Sequence, residues 1–196
     1  MTLSELYSNT DLNSHISFKF KTDKGTIHNY IDGYYSKKFT PLRFKNINIL
    51  EIGVHDGLSI GLWRAWFTSA NIYGLDNGMY EDWKWVNTLP NVQAHLIDAY
   101  SQEALNMFRD NFFDIIIDDG PHSLDSQKYS LQNWSKKLKV GGTLIIEDIQ
   151  TPGSVDNILR VTPSNFKSSV YDLRKDKERY DDIILEFVKM YDFLPH

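Results

Sequence analysis

Apolar residues are distributed along this chain in short, nearly continuous runs, and the segments between the runs carry apolar positions at helical spacing. Ile47–Val54 (INILEIGV) is the first such run, and Asn71–Asp76 (NIYGLD), Val92–Asp98 (VQAHLID), Phe113–Asp118 (FDIIID) and Thr143–Ile149 (TLIIEDI) repeat it. Runs without polar alternation predict strands covered on both faces. Helical patterns fall between them: Leu58–Phe67 after Gly57, Gln102–Phe108 behind Ser101 as N-cap, and Leu124–Leu138 ahead of a turn at Gly141–Gly142. Covered strands alternating with helices predict a parallel sheet with crossover connections. Near the end, Ser168–Leu173 and Asp182–Val188 are separated only by the charged turn Arg174–Tyr180, which predicts an antiparallel hairpin at one edge.

The first ~45 residues are less regular. Leu3–Tyr7 and Asn29–Phe39 are expected to be helices packed over the sheet, while Thr151–Lys167 carries no legible pattern. The fold class expected is therefore α/β: a doubly wound, mostly parallel seven-stranded sheet with helices on both faces. Residues 1–196 are expected to form one domain, with 1–45 as an N-terminal helical cover.

Composition narrows the chemistry. With 41% hydrophobic and 24% charged residues, the 196-residue chain has the make-up of a globular protein able to bury a proper core. It has no cysteine, which removes disulfides, thiolate nucleophiles and thiolate-bound zinc together. The 26 acidic residues outnumber 21 basic ones for a formal charge of −5, so nucleic acid is not an expected partner. The polar start MTLSELYSNTDLNSH is unlike a secretory leader, and no apolar run approaches the ~20 residues of a membrane span. A cytoplasmic protein without membrane contact is the expectation, with a homo-oligomer left open.

The candidate chemistry sits at the ends of the expected strands. Glu51-Ile-Gly53-Val-His-Asp-Gly57 closes the first strand with glycines that let a ligand approach the backbone ahead of a helix N-terminus. The acidic residue disfavours a pyrophosphate and suits a cationic ligand. Asp76 ends the second strand about twenty residues after the glycines, where a carboxylate accepts ribose hydroxyls. Asp98 ends the third strand, suited to an adenine amino group. A capping role is the plainer alternative for either aspartate. Asp118-Asp119-Gly120-Pro121-His122 follows the fourth strand, and Glu147-Asp148 lies in the fifth. Carboxylates converging from neighbouring strands, ~4.8 Å apart, need a cation or a proton to coexist, and oxygen donors favour magnesium or a similar hard ion. Glu147 and Asp148 both reach such an ion only if the strand has ended. His122 is placed to take a proton from a substrate hydroxyl, or else it is a hydrogen-bonded loop residue.

The set LEIGVHDG, IYGLD, FDIIIDDGPH and GGTLIIEDIQ resembles the class I S-adenosylmethionine methyltransferases, whose fold is Rossmann-like. Within them it is similar to the metal-dependent O-methyltransferases acting on sugars of macrolide antibiotics. Thr22-Asp23-Lys24-Gly25 with His28 and Tyr30 resembles their T-D-K-G…H-x-Y segment, so the likeness runs from about Thr22 to Gln150. The resemblance implies that Glu51 and Gly53 line the methionine part of the cofactor, Asp76 holds the ribose and Asp98 the adenine. It places Lys24, Ser59 and Asp118 on the cofactor side as well. Asp119, Glu147 and Asp148 are implied as ligands of Mg2+ or a similar divalent cation, and His122 as the base.

The function so implied is methylation of a hydroxyl on a sugar or other small molecule, with S-adenosyl-L-methionine as donor. A metal-independent small-molecule methyltransferase is the first alternative. A nucleotide-binding Rossmann oxidoreductase or module is the second. Trp63 and Trp66 read as core, Trp83 and Trp85 as either pocket wall or surface turn.

Overall fold

The computed structural model describes residues 1–8, 21–78 and 82–192. The stretch 9–15, part of the leader reading, lies outside them. Seven strands form one sheet: β1 (Asn48–Ile52), β2 (Asn71–Asp76), β3 (Val92–Leu96), β4 (Phe113–Asp118), β5 (Leu138–Ile146), β6 (Phe166–Asp172) and β7 (Ile183–Lys189). Their order is β3-β2-β1-β4-β5-β7-β6. The first five are mutually parallel, and β7 runs antiparallel to both β5 and β6.

Side chains along each inner strand alternate between two cores. Ile49, Ile115, Ile117 and Ile145 belong to one, with Tyr30, Tyr35, Trp63 and Trp66. Leu50, Ile52, Ile116, Leu144 and Ile146 belong to the other, with Phe108 and Trp134. Because period-two alternation puts an apolar side chain on both faces, the strands read as unbroken apolar runs. The first core is covered by α1 (Leu3–Ser8), α2 (Asp23–Thr26), α3 (Ser36–Phe39) and α4 (Leu58–Trp66). The second lies under α5 (Gln102–Asn106), α6 (Leu124–Asn133) and α7 (Pro152–Leu159). A further short helix, α8 (Arg174–Lys177), sits in the β6–β7 connection.

The expected hairpin is present, but its second strand lies inside the first, hydrogen-bonded to β5. β7 is the better-buried partner, whereas β6 shows the half-exposed pattern of an edge. Gly141–Gly142 does not end an element as expected. β5 runs through it from Leu138, with Gly141 at φ 81° and a register irregularity against β4. The long helix expected over Leu124–Leu138 stops at Asn133 and tightens into a 3-10 turn, Trp134–Lys137. The expected Asn29–Phe39 helix is a π turn, Ile31–Tyr35, running into α3. Trp63 and Trp66 are fully buried, as read. No helix among the described residues is long and apolar enough to cross a membrane.

Candidate active site

Strand order reverses between β1 and β4, and open α/β sheets bind ligands at the carboxyl ends of strands beside such a switch point. The residues read as chemical in the sequence lie along that edge. Beyond β1 the chain turns at Gly53, φ 84°, and a Cβ there would stand 2.0 Å from the Asp119 carbonyl oxygen. Only glycine fits between the β1 and β4 tips. Asp76 secures the same turn: its Oδ2 accepts from the backbone amides of Val54 at 2.9 Å and His55 at 3.0 Å, and its Oδ1 from Gly78 at 2.7 Å. Oδ2 is filled by its two amides, and Oδ1 retains a lone pair toward a ligand. Asp98 lies past the end of β3, exposed, with Oδ1 accepting from the Tyr100 amide at 2.9 Å. Trp85 donates to the Asp56 carbonyl at 2.8 Å and packs its indole against Gly57.

Parity decides which carboxylates meet. Glu51 and Glu147 share the sheet face of Ile49 and Ile145, beneath the N-terminal helices. Asp118 shares the opposite face with Ile116, where its Oδ1 accepts from the Tyr100 hydroxyl at 2.7 Å. Asp118 is therefore turned away from Glu51 and Glu147, and its burial raises its pKa.

Lys24 reaches the first face from α2. Thr22 caps that helix, accepting from the Lys24 amide at 3.4 Å, and Gly25 lets the Tyr7 ring pack so closely that a Cβ would be 2.4 Å from it. The ammonium is 1% exposed and lies 2.5 Å from Asp119 Oδ2, 2.6 Å from Glu147 Oε2 and 3.4 Å from Glu51 Oε1. Burial opposes its charge, but the three carboxylates outweigh that and hold it protonated, well above the usual lysine range. Glu51 also accepts from Ser59 Oγ at 2.8 Å and Trp63 Nε1 at 3.2 Å. Burial pushes the Glu51 carboxyl up to about 7 against the pull of Lys24. Burial also raises the Glu147 carboxyl well above the usual carboxylate range, and its second oxygen accepts from the Tyr35 hydroxyl. Lys24, Glu51 and Ser59, read as cofactor contacts, are 1%, 0% and 6% exposed and engage one another, so they form the floor beneath the glycine turn.

β5 ends at Ile146, so the condition on Glu147 and Asp148 is met, and Asp148 turns out at φ 54°. The two then diverge: Glu147 points inward to Lys24 and Tyr35, and Asp148 turns toward Asp119 and His122. One ligand atom from each of Asp119, His122 and Asp148 falls within 4.8 Å of the others. His122 Nε2 lies 3.5 Å from Asp148 Oδ2 and 3.9 Å from Asp119 Oδ1, with its ring about one-third exposed. His122 also has φ 54°, so two non-glycine residues of one cluster sit in the left-handed region. The Asp119 carboxyl is raised to about 6 by burial, with Lys24 opposing and Asp23 and Asp148 adding.

A sheet of this order, opened at its switch point by a glycine turn and rimmed with carboxylates, places the chain in the Rossmann-like class of α/β proteins. Within that class it belongs to the methyltransferase-domain family, whose model matches residues 50–149. It is 28% identical over 145 residues to the 8-demethyl-8-alpha-L-rhamnosyl tetracenomycin-C 2'-O-methyltransferase of Streptomyces olivaceus, covering 69% of this chain and 37% of that enzyme. It is 28% identical over 149 residues to the Mycinamicin VI 2''-O-methyltransferase of Micromonospora griseorubida, covering 70% and 36%. The chain thus spans little more than a third of the length of the curated relatives it matches. Among solved structures, the MycE methyltransferase from the mycinamycin biosynthetic pathway, in complex with Mg and SAH, has a TM-score of 0.68 at 21% identity. That match covers 90% of this chain and 54% of the other, and it speaks for the fold.

Proposed function

We propose that this chain carries an S-adenosylmethionine-dependent O-methyltransferase activity that methylates a hydroxyl of a sugar or other small molecule with the help of Mg2+ or a similar divalent ion. The observation that supports it most is the convergence of Asp119, His122 and Asp148 beside the Gly53 turn. Asp119 Oδ1 and Asp148 Oδ2 accept no hydrogen bond among the described residues, while their other oxygens are held by Lys24 and Tyr30. Both oxygens lie near His122 Nε2, at 3.9 and 3.5 Å, and two carboxylate oxygens gathered there fit a hard cation. Asp119 and Asp148 would hold the ion, and Glu147 would stand behind them. When bound, such an ion lowers the pKa of an acceptor hydroxyl.

The remaining chemistry falls to this chain's side chains. Methyl transfer is a direct displacement, so most of the work is alignment of donor and acceptor. The Gly53 turn would line the methionine part of the donor, and Asp76 and Asp98, at the next two strand tips, would bind its nucleoside end. His122, at the mouth of the cluster, would take the proton from the acceptor oxygen as it attacks. The sugar O-methyltransferases among the relatives direct the choice of acceptor to a glycoside hydroxyl.

Calorimetry tests the donor: S-adenosylhomocysteine should bind and NAD should not, and the reverse would indicate an oxidoreductase. Transfer of labelled methyl to a panel of deoxysugar glycosides tests the rest. His122→Ala should keep its affinity for S-adenosylhomocysteine and lose about 100-fold or more in turnover, and EDTA should abolish transfer reversibly. Unchanged turnover in the variant would remove His122 as the base; full activity in EDTA would leave a metal-independent transferase.

A further inference from the structure

Asp148 leaves β5 in a strained backbone conformation, and its carboxylate is oriented by groups far away in sequence. Tyr30, fully buried, donates its hydroxyl to Asp148 Oδ1 at 2.5 Å. That fixes Oδ1 on the protein side and leaves Oδ2 toward His122. The Tyr30 ring is itself clamped: the His28 imidazole stacks on it with centroids 4.7 Å apart and planes 17° from parallel. His28 is in turn held by Asp182, whose Oδ1 lies 2.6 Å from Nδ1. Asp182 is fully buried, and its Oδ2 has no hydrogen-bond partner. It immediately precedes β7, whose first residue, Ile183, accepts a hydrogen bond through its carbonyl from the Ile149 amide at 3.1 Å. The loop bearing Asp148 and the strand that follows Asp182 are thus joined by backbone, and the Tyr30–His28 pair spans them from the N-terminal cover.

His28, Asp181 and Asp182 also form a compact group of ligand-type atoms. Arg179 occupies that group: its guanidinium holds both Asp181 oxygens, at 2.9 and 3.1 Å, and lies 3.5 Å from Asp182. A guanidinium at that place disfavours a second cation, and what is left is a positioning device.

We propose that Tyr30, backed by the His28–Asp182 pair, is a positioning residue that aims Asp148 Oδ2 into the candidate metal centre; this rests on the reading of Asp119 and Asp148 as cation ligands. The hydroxyl supplies what outer partners of metal ligands supply elsewhere: a fixed ligand orientation, whose loss lowers metal affinity 10–100-fold. Four segments of the chain contribute to the device: the H-x-Y stretch, the β5 tip, the residues before β7 and the His122 loop.

The test is Mn2+ binding to the full chain, followed by electron paramagnetic resonance and calorimetry without any acceptor. Tyr30→Phe keeps the stacked ring and removes only the hydroxyl. It should bind Mn2+ about 10–100-fold more weakly while its affinity for S-adenosylhomocysteine stays within about twofold of wild type. Asp182→Asn, which loosens His28, should shift Mn2+ affinity in the same direction by less. Asp148→Asn is the reference. If it loses Mn2+ binding while Tyr30→Phe and Asp182→Asn retain wild-type affinity, the positioning role is refuted and the metal centre stands. If Asp148→Asn itself binds Mn2+ as wild type does, the metal centre falls, and the role of Tyr30 with it.

Discussion

At the scale of single residues, the site is organised by one buried ammonium. Lys24 stands among Asp119, Glu147 and Glu51, and among the described residues no other lysine or arginine pairs with these carboxylates. Breaking a buried ion pair by removing one partner leaves charge stranded in a poorly solvated place and costs about 3–5 kcal/mol. Lys24→Met should therefore lower the unfolding free energy by about that amount in urea denaturation, with Glu147→Gln in the same background recovering part of it. A loss below about 1 kcal/mol would show that the carboxylates find another partner. The resemblance placed Lys24 on the cofactor side; that its ammonium is buried among carboxylates from distant strand tips is a property of packing alone. The T-D-K-G segment did flag the residue. Its local logic becomes clear only in three dimensions, with Thr22 capping and Gly25 admitting the Tyr7 ring.

At the scale of elements, apolar runs marked every inner strand, because both faces of a parallel sheet are covered. Ends were harder. β5 begins at Leu138 and ends at Ile146, whereas the sequence suggested Thr143–Ile149. A bulge at Gly141 carries the strand through what looked like a turn, and the acidic pair beyond Ile146 already belongs to the tip loop. α7 escaped the reading altogether, although Thr151 followed by Pro152 is an N-cap with proline at the first helical position. The two glycines at strand ends and bulges give a paired test. Gly53→Ala forces a Cβ onto a backbone carbonyl, so it should weaken S-adenosylhomocysteine binding at least about 10-fold and lower the melting temperature. Gly141→Ala meets nothing within 4 Å and bears only the strain of its φ of 81°. It should melt slightly earlier and bind the ligand as wild type. Equal ligand affinity in both variants would remove the Gly53 turn from the cofactor site.

For the whole molecule, the site is an assembly of remote parts. The parallel strands supply the glycine turn and the carboxylate tips, the N-terminal cover supplies Lys24, His28 and Tyr30, and the residue before β7 supplies Asp182. The doubly wound sheet and its antiparallel edge were legible in the sequence, since element type follows from local pattern. The inward turn of Glu147, the opposite face taken by Asp118 and the Tyr30–Asp148 contact were not, since each depends on which side chains the topology brings face to face. The most direct measurement is anomalous scattering from a crystal grown with Mn2+ and S-adenosylhomocysteine. The account predicts one strong manganese peak bonded to Asp119 and Asp148, beside His122, with the homocysteine sulfur in the same cleft next to the Gly53 turn. A peak held by other residues, no peak at saturating Mn2+, or the nucleoside bound away from that cleft would contradict it.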